Sequence, residues 1–143
     1  MGHLLKQLLL LGLVVGAVWA VAAWPRINDV ETGKTPEYPD LKVGVYSQGP
    51  EKVAKAAEEA IKSLARWTLM GQGKGPGGYS LQASHETPVL GFKDEVTIEI
   101  RRDGPLTKVK VRSRSRSNAM KWDFGQNARN IRELLAAMDR QVF

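Results

Sequence analysis

Lys108-Val109-Lys110-Val111-Arg112-Ser113-Arg114-Ser115-Arg116 places a cation at every second position. Side chains alternate across a β-strand with a period of two, so this spacing puts five positive charges on one face. The opposite face starts apolar and turns to small hydroxyls. Upstream, Asp94–Arg102 alternates in the same way, with Val96, Ile98 and Ile100 inward and Glu95, Thr97, Glu99 and Arg101 outward. Asp103-Gly104 between the two is a hairpin signal, and Pro105 is tolerated at a strand start. Taking Asp103-Gly104 as the turn pairs Ile98 with Val109 and Val96 with Val111. On the other face it pairs Glu99 with Lys108, Thr97 with Lys110 and Glu95 with Arg112, so both faces are satisfied. That register sets Asp94 opposite Ser113, Lys93 opposite Arg114 and Gly91 opposite Arg116. It leaves the last two arginines without an acidic partner.

Working outward, Gly49-Pro50 predicts a helix start, with Pro in the first turn and Glu51 near the positive end of the dipole. Val53, Ala57, Ala60, Ile61 and Leu64 recur at helical spacing through Arg66, and Glu58 and Lys62 form an i,i+4 pair. Lys42–Tyr46 and Trp67–Met70 read as short strands, the second ended by Gly71. The glycine-rich Gly71–Gly78 lacks the Gly-Lys-Ser/Thr ending of a phosphate loop and no helix pattern follows it, so a mobile loop is expected. Tyr79–Glu86 alternates as a half-buried strand before a turn at Thr87–Phe92. Asp123 and Gln126 have capping-box spacing, opening a helix with Ala128, Ile131, Leu134, Leu135 and Met138 as its stripe. The expected fold is α+β: a two-layer domain with an antiparallel sheet of four to five strands and two helices on one face.

No charge interrupts Leu8–Trp24, a run of 17 residues, close to the ~20 that cross a bilayer as a helix. Membrane contact is expected through residues 4–24. Ala20-Val21-Ala22 fits a small-x-small signal cleavage site, whereas Trp19 and Trp24 suit an uncleaved anchor at the headgroup boundary. Residues 1–25 are thus a signal peptide or an anchor. Lys6 is outweighed by Arg26 and Lys34 in the positive-inside balance, but the short N-terminal tail and the cleavage pattern favour export. The expected location is anchored or exported, with the domain on the extracytoplasmic side of the cell envelope. Pro25, Gly33, Pro36 and Pro39 make residues 26–41 an expected extended tether, leaving 42–143 as a single α+β domain.

The chain has no cysteine and a formal net charge of +6. The first fact excludes disulfides, thiolate metal sites, cysteine nucleophiles and lipidated cysteines. The second suits an anionic lipid, a polyanion or an acidic protein surface. No aromatic interleaves the cationic strand, so nucleic acid is not expected. His85 has no neighbouring ligand cluster, so no metal or cofactor is expected. Lys110, Arg112, Arg114 and Arg116 are the candidate anion-binding residues, since the arginine fork suits phosphate or carboxylate. Ser113 and Ser115 face the covered side and need partners, for which Asp94 and Asn127 are candidates in a structural polar network. Two other readings stay open. One is a small hydrolase-like enzyme using Asp94 and Asp123 as acid and base on an anionic substrate. The other is a structural interaction module contacting partners through the Lys42–Tyr46 edge or the Val89–Phe92 loop.

Five segments occur in order: Thr35-Pro36 with Pro39-Asp40-Leu41, Gly91-Phe92-Lys93-Asp94-Glu95-Val96, Arg112-Ser113-Arg114-Ser115-Arg116, Asp123-Phe124-Gly125 and Asn127-Ala128-Arg129-Asn130-Ile131. Together they resemble the bacterial and plastid family catalogued as domain of unknown function 1499, over roughly residues 30–140. The Ser117–Trp122 link is longer and bulkier than the family's, and Asn130 stands where a second basic residue is frequent. The resemblance implies an N-terminal membrane or export segment and no established activity. It also implies a cluster of Asp94, Arg112, Arg114, Arg116, Asp123, Asn127 and Arg129 that joins strand, loop and last helix. Arg129 thereby joins the anion-binding candidates and Asp123 the polar network.

Overall fold

The computed structural model describes residues 2–117 and 121–142; residues 118–120 of the Ser117–Trp122 link lie outside the described residues. The elements run α1 (Gly2–Ala22), β1 (Asp29–Glu31), β2 (Gly44–Tyr46), α2 (Pro50–Ser63), β3 (Trp67–Gly75), β4 (Gly78–Glu86), β5 (Lys93–Asp103), β6 (Leu106–Ser115) and α3 (Gln126–Val142). The class is α+β, as expected, with an antiparallel sheet. The sheet has six strands rather than four or five, in the order β1-β6-β5-β4-β3, with β2 also on β6.

Two three-residue strands account for the difference. β1 pairs with the far end of β6, Asp29 opposite Arg114 and Glu31 opposite Arg112, while β2 pairs with its near end, Gly44 opposite Val109 and Tyr46 opposite Thr107. Between them the Thr32 amide donates to the Val111 carbonyl at 2.9 Å, and the Thr32 hydroxyl accepts from the Val111 amide at 3.0 Å. The free edge of β6 is thus covered along most of its length, which removes a template for unwanted strand addition. The segment 26–41 is therefore not an extended tether. Val30, Thr32 and Leu41 are buried, and their burial outweighs the proline and glycine signals around them.

The β5–β6 register also departs from expectation, by two residues. Asp103 pairs with Leu106, so Gly104 and Pro105 are the two loop residues, and Ile98 faces Val111, Val96 faces Ser113 and Glu95 faces Arg114. Gly104 has φ 58°, and a positive φ followed by proline's fixed negative φ is the pattern of a type II′ hairpin turn. A shift of two preserves which face each side chain occupies, so the inward and outward sets stand while every partner changes.

The glycine-rich stretch is a strand and a turn, not a loop. β3 continues through a bulge near Met70 to Gly75, and Pro76-Gly77 turns it into β4. Gly78 is obligatory: a Cβ there would lie 2.2 Å from the Ile100 carbonyl oxygen. α2 begins at Pro50 after Gly49 and ends at Ser63, earlier than the expected Arg66, with the Lys62–Glu58 ion pair at 2.6 Å. Helices α2 and α3 contact each other and the sheet. Their apolar stripes join Leu81, Ala83, Val96, Ile98, Ile100, Val109 and Val111 in one core. α1 buries none of its side chains and is long and apolar enough to cross a membrane; its 21 residues give a length of about 31 Å.

Candidate functional site

The inward hydroxyls of β6 meet polar side chains from α3 in a buried polar cluster at one end of the core. The buried Ser113 hydroxyl donates to Asn127 Oδ1 at 2.7 Å and accepts from Asn130 Nδ2 at 3.2 Å. Asn127 Nδ2 lies 2.6 Å from Asp123 Oδ2, 3.1 Å from Ser115 Oγ and 3.1 Å from the Asn28 carbonyl. Asn130 Nδ2 donates to Asp94 Oδ2 at 2.9 Å, and His85 Nδ1 stands 3.4 Å from the same oxygen. Asp94, Ser113, Ser115, Asp123 and Asn127 are therefore brought together, although Asp94 sits opposite Ser115 rather than Ser113. Asn28, His85 and Asn130 belong to the same cluster, and sequence reading missed them there. An i,i+3 spacing of Asn127 and Asn130 on the apolar face of α3 was the available signal.

Asp123 does not occupy the N-cap position its spacing suggested. Its carboxylate accepts from the Gly125 amide at 2.8 Å and the Asn127 amide at 3.1 Å. It thus holds the first turn of α3 from two residues before Gly125 (φ 78°). Gln126 turns away, donating from Nε2 to Asn130 Oδ1 at 2.8 Å instead of closing a capping box. Asp94 is 3% and Asp123 5% exposed, and both are occupied by hydrogen bonds. Such carboxylates anchor elements to one another and offer a substrate no path, which weighs against the acid–base reading of this pair. Among the described residues no group of three or more His, Cys, Asp or Glu is placed to hold a metal.

The anion-binding candidates are not brought together as one site. Arg112 binds Asp29 with both Nε (2.9 Å) and a terminal nitrogen, and this bond holds the Asp29 carboxyl below its usual range. Arg114 reaches Glu95 Oε2 with Nε at 3.1 Å and a terminal nitrogen at 2.9 Å, so the expected lack of an acidic partner holds only for Arg116. The Lys108 ammonium pairs with Asp103. Lys110 has no ion pair among the described residues, yet shares its surroundings with Glu31 and Glu99. Arg129 lies on α3, donating to the Phe124 carbonyl at 3.0 Å and to Gln126 Oε1 at 3.1 Å. Arg116 differs from the rest. It is exposed, has no ion pair among the described residues, and lines a cavity of about 350 Å³ with Gly91, Phe92, Lys93, Ser115 and Ser117. Its lining residues include two cations and no carboxylate, with Glu86 Oε1 near Gly91 at its margin.

An α+β domain with a β6–α3 polar tie, following an apolar helix, is the class of protein this architecture defines. Residues 22–138 match the family described as protein of unknown function (DUF1499), and the chain belongs to that family. No curated protein matches the chain.

Proposed function

We propose that the protein is a membrane-tethered envelope domain, held by α1 with its sheet on the extracytoplasmic side, that binds an anionic partner at the Arg116 end of β6. The observation that carries this reading is the distribution of charge on β6. Three of the five cations from Lys108 to Arg116 are matched by Asp103, Asp29 and Glu95. Arg116, together with Lys93, opens onto a cavity without an acidic wall. Pairing within the sheet fixes Lys108, Arg112 and Arg114 as register elements. Arg116 also lines a second cavity with Glu95, whose carboxylate Arg114 already engages. Having no ion pair among the described residues, Arg116 can offer its donor fork to a phosphate or carboxylate group. The exposed apolar run from Leu8 to Ala22 in α1 supports the tether.

The test uses the full chain in neutral phosphatidylcholine nanodiscs, challenged with separate vesicles containing phosphatidylglycerol and with soluble polyphosphate. Capture is expected to weaken as salt rises and to be lost in Arg116→Glu, while Arg112→Gln retains it. Capture of neither probe, or capture indifferent to Arg116→Glu, would reject the anion-binding reading.

A further inference from the structure

The residue pairings place four chain segments at one end of the sheet. Glu86 pairs with Lys93, Asp94 with Ser115, and Asp29 with Arg114. The β4–β5 loop, the end of β6 and the start of β1 therefore coincide. The chain enters β1 from α1 through residues 23–28 alone, a reach of at most about 25 Å. Asp123, at the foot of α3, donates its amide to the Ile27 carbonyl at 3.2 Å, which brings the residues before α3 to this same end.

This end carries apolar side chains left exposed among the described residues. Val89 is fully exposed and Leu90 is 71% exposed; Phe92 in the same loop, and Phe124 before α3, are also exposed. The loop is held rather than loose: the Phe92 amide donates to Thr87 Oγ1 and the Thr87 amide to the Phe92 carbonyl, both at 2.8 Å. Val89 is kept at φ 70°, a backbone region that a β-branched residue rarely adopts. Next to the exit from α1, Trp24 packs edge-on against Phe124 and Phe124 stacks on Trp122, with centroids 6.2 and 4.7 Å apart. Arg26 lies over the Trp122 ring. Arg26, Lys93, Arg116 and Lys121, all exposed, belong to the segments that meet at this end, alongside the exposed Glu86. Aromatic rings, protruding aliphatics and a basic rim are the composition of a surface that sits in the headgroup layer of an anionic bilayer.

We infer that this end of the domain docks on the membrane that holds α1, with Val89, Leu90 and Phe92 entering the headgroup–acyl boundary and the basic rim resting on anionic headgroups. The inference rests on the tether proposed above. It adds that the domain is not free on its stalk but is laid down on the bilayer in one orientation, with the β3–β4 and β5–β6 turns pointing away.

Because the chain has no cysteine, single sites can be labelled cleanly. Val89→Cys and, at the opposite end of the sheet, Pro76→Cys in the full chain would each carry an environment-sensitive nitrobenzoxadiazole probe. Vesicles would be pure phosphatidylcholine, or phosphatidylcholine with phosphatidylglycerol, with and without lipids spin-labelled on the acyl chain. Docking predicts blue-shifted emission and spin-label quenching at Val89 and neither at Pro76. The effect should be stronger with phosphatidylglycerol and reduced when Leu90→Asp and Phe92→Asp accompany the Val89 label. Equal, unquenched emission at both sites in a chain that still floats with the vesicles would overturn docking and leave the tether standing. A chain that fails to float overturns both. Quenching retained in pure phosphatidylcholine by Arg116→Glu supports docking even where capture of separate anionic vesicles has failed.

Discussion

Asn130 Nδ2 donates to Asp94 Oδ2 across 2.9 Å, tying α3 to β5 between residues 36 positions apart. Asn130 also donates to Ser113, and Asn127 bonds Ser113, Ser115 and Asp123. The two asparagines therefore connect α3 to the inner face of the sheet exactly where apolar packing gives way to hydroxyls on β6. An apolar helix face could slide against an apolar sheet; these bonds fix one position, and each buried group left unmatched costs more than the bond itself contributes.

Asn130→Ala should accordingly destabilise the protein by about 2–4 kcal/mol, because it strips the buried Asp94 carboxylate of its amide donor. Asn127→Ala should cost a similar amount by exposing Ser113 and Asp123 to the same deficit. Urea unfolding of the full chain in detergent, followed by tryptophan fluorescence, would check both. A loss below that of ordinary surface substitutions would show the network to be dispensable.

Val30→Ala should cost about 1–3 kcal/mol, the range for removing buried methyl groups from a close-packed core. Val30 is fully buried at the centre of β1, so the same unfolding measurement distinguishes a sheet strand from a tether, in which the substitution would be silent.

The strength of the period-two signal explains what was legible and what was not. Lys108–Arg116 and Val96–Ile100 alternate long enough to fix two strands, their faces and the sheet's inner surface. Period alone cannot separate registers two residues apart, and both Asp103-Gly104 and Gly104-Pro105 are credible turns, so the partners of Arg114 and Ser113 were displaced. β1 was hidden because three residues are too short to show periodicity, and its strand character comes from β6 rather than from its own propensity. Gly71–Gly75 looked like a loop because glycine has poor strand propensity, although the β4 partner imposes pairing on it. The polar residues Asp94, Ser113, Ser115 and Asn127 were legible as inward-facing groups in need of partners. His85 gets its place from the β4–β5 register that sets it opposite Asp94, and Asn130 only when α3 is laid on the sheet.

Tyr46 gives the stability a defined response to alkali. Its hydroxyl donates to Asp139 Oδ1 at 2.8 Å, and burial followed by this carboxylate raises its pKa well above the ordinary value of 10.0. Tyr38 is raised in the same direction, mainly by burial. Folding thus strengthens proton binding by both phenols. Their contribution is complete below about pH 10, the unfolded value, and is lost as pH rises towards the folded values. Stability should therefore decline above about pH 10. Tyr46→Phe should lower stability near neutrality by about 1 kcal/mol and flatten the alkaline decline, leaving the part due to Tyr38. Unfolding midpoints between neutral and alkaline pH, with phenolate absorbance as the titration readout, would check the sign.

Gly73 and Gly78, five positions apart, answer differently to the same methyl group. At Gly78 a Cβ would stand 2.2 Å from the Ile100 carbonyl oxygen, whereas at Gly73 nothing lies within 4 Å. Backbone is the obstacle at Gly78, so relief requires β4 to move away from β5 along a pairing that continues to Glu86 and Lys93. Gly78→Ala should destabilise by at least about 2 kcal/mol, as overpacking against a fixed neighbour does. Gly73→Ala should be neutral or stabilising by up to about 1 kcal/mol, because it restricts the unfolded chain without meeting an obstacle. Thermal unfolding of the two variants would separate a paired strand from a mobile loop, in which both substitutions would behave alike.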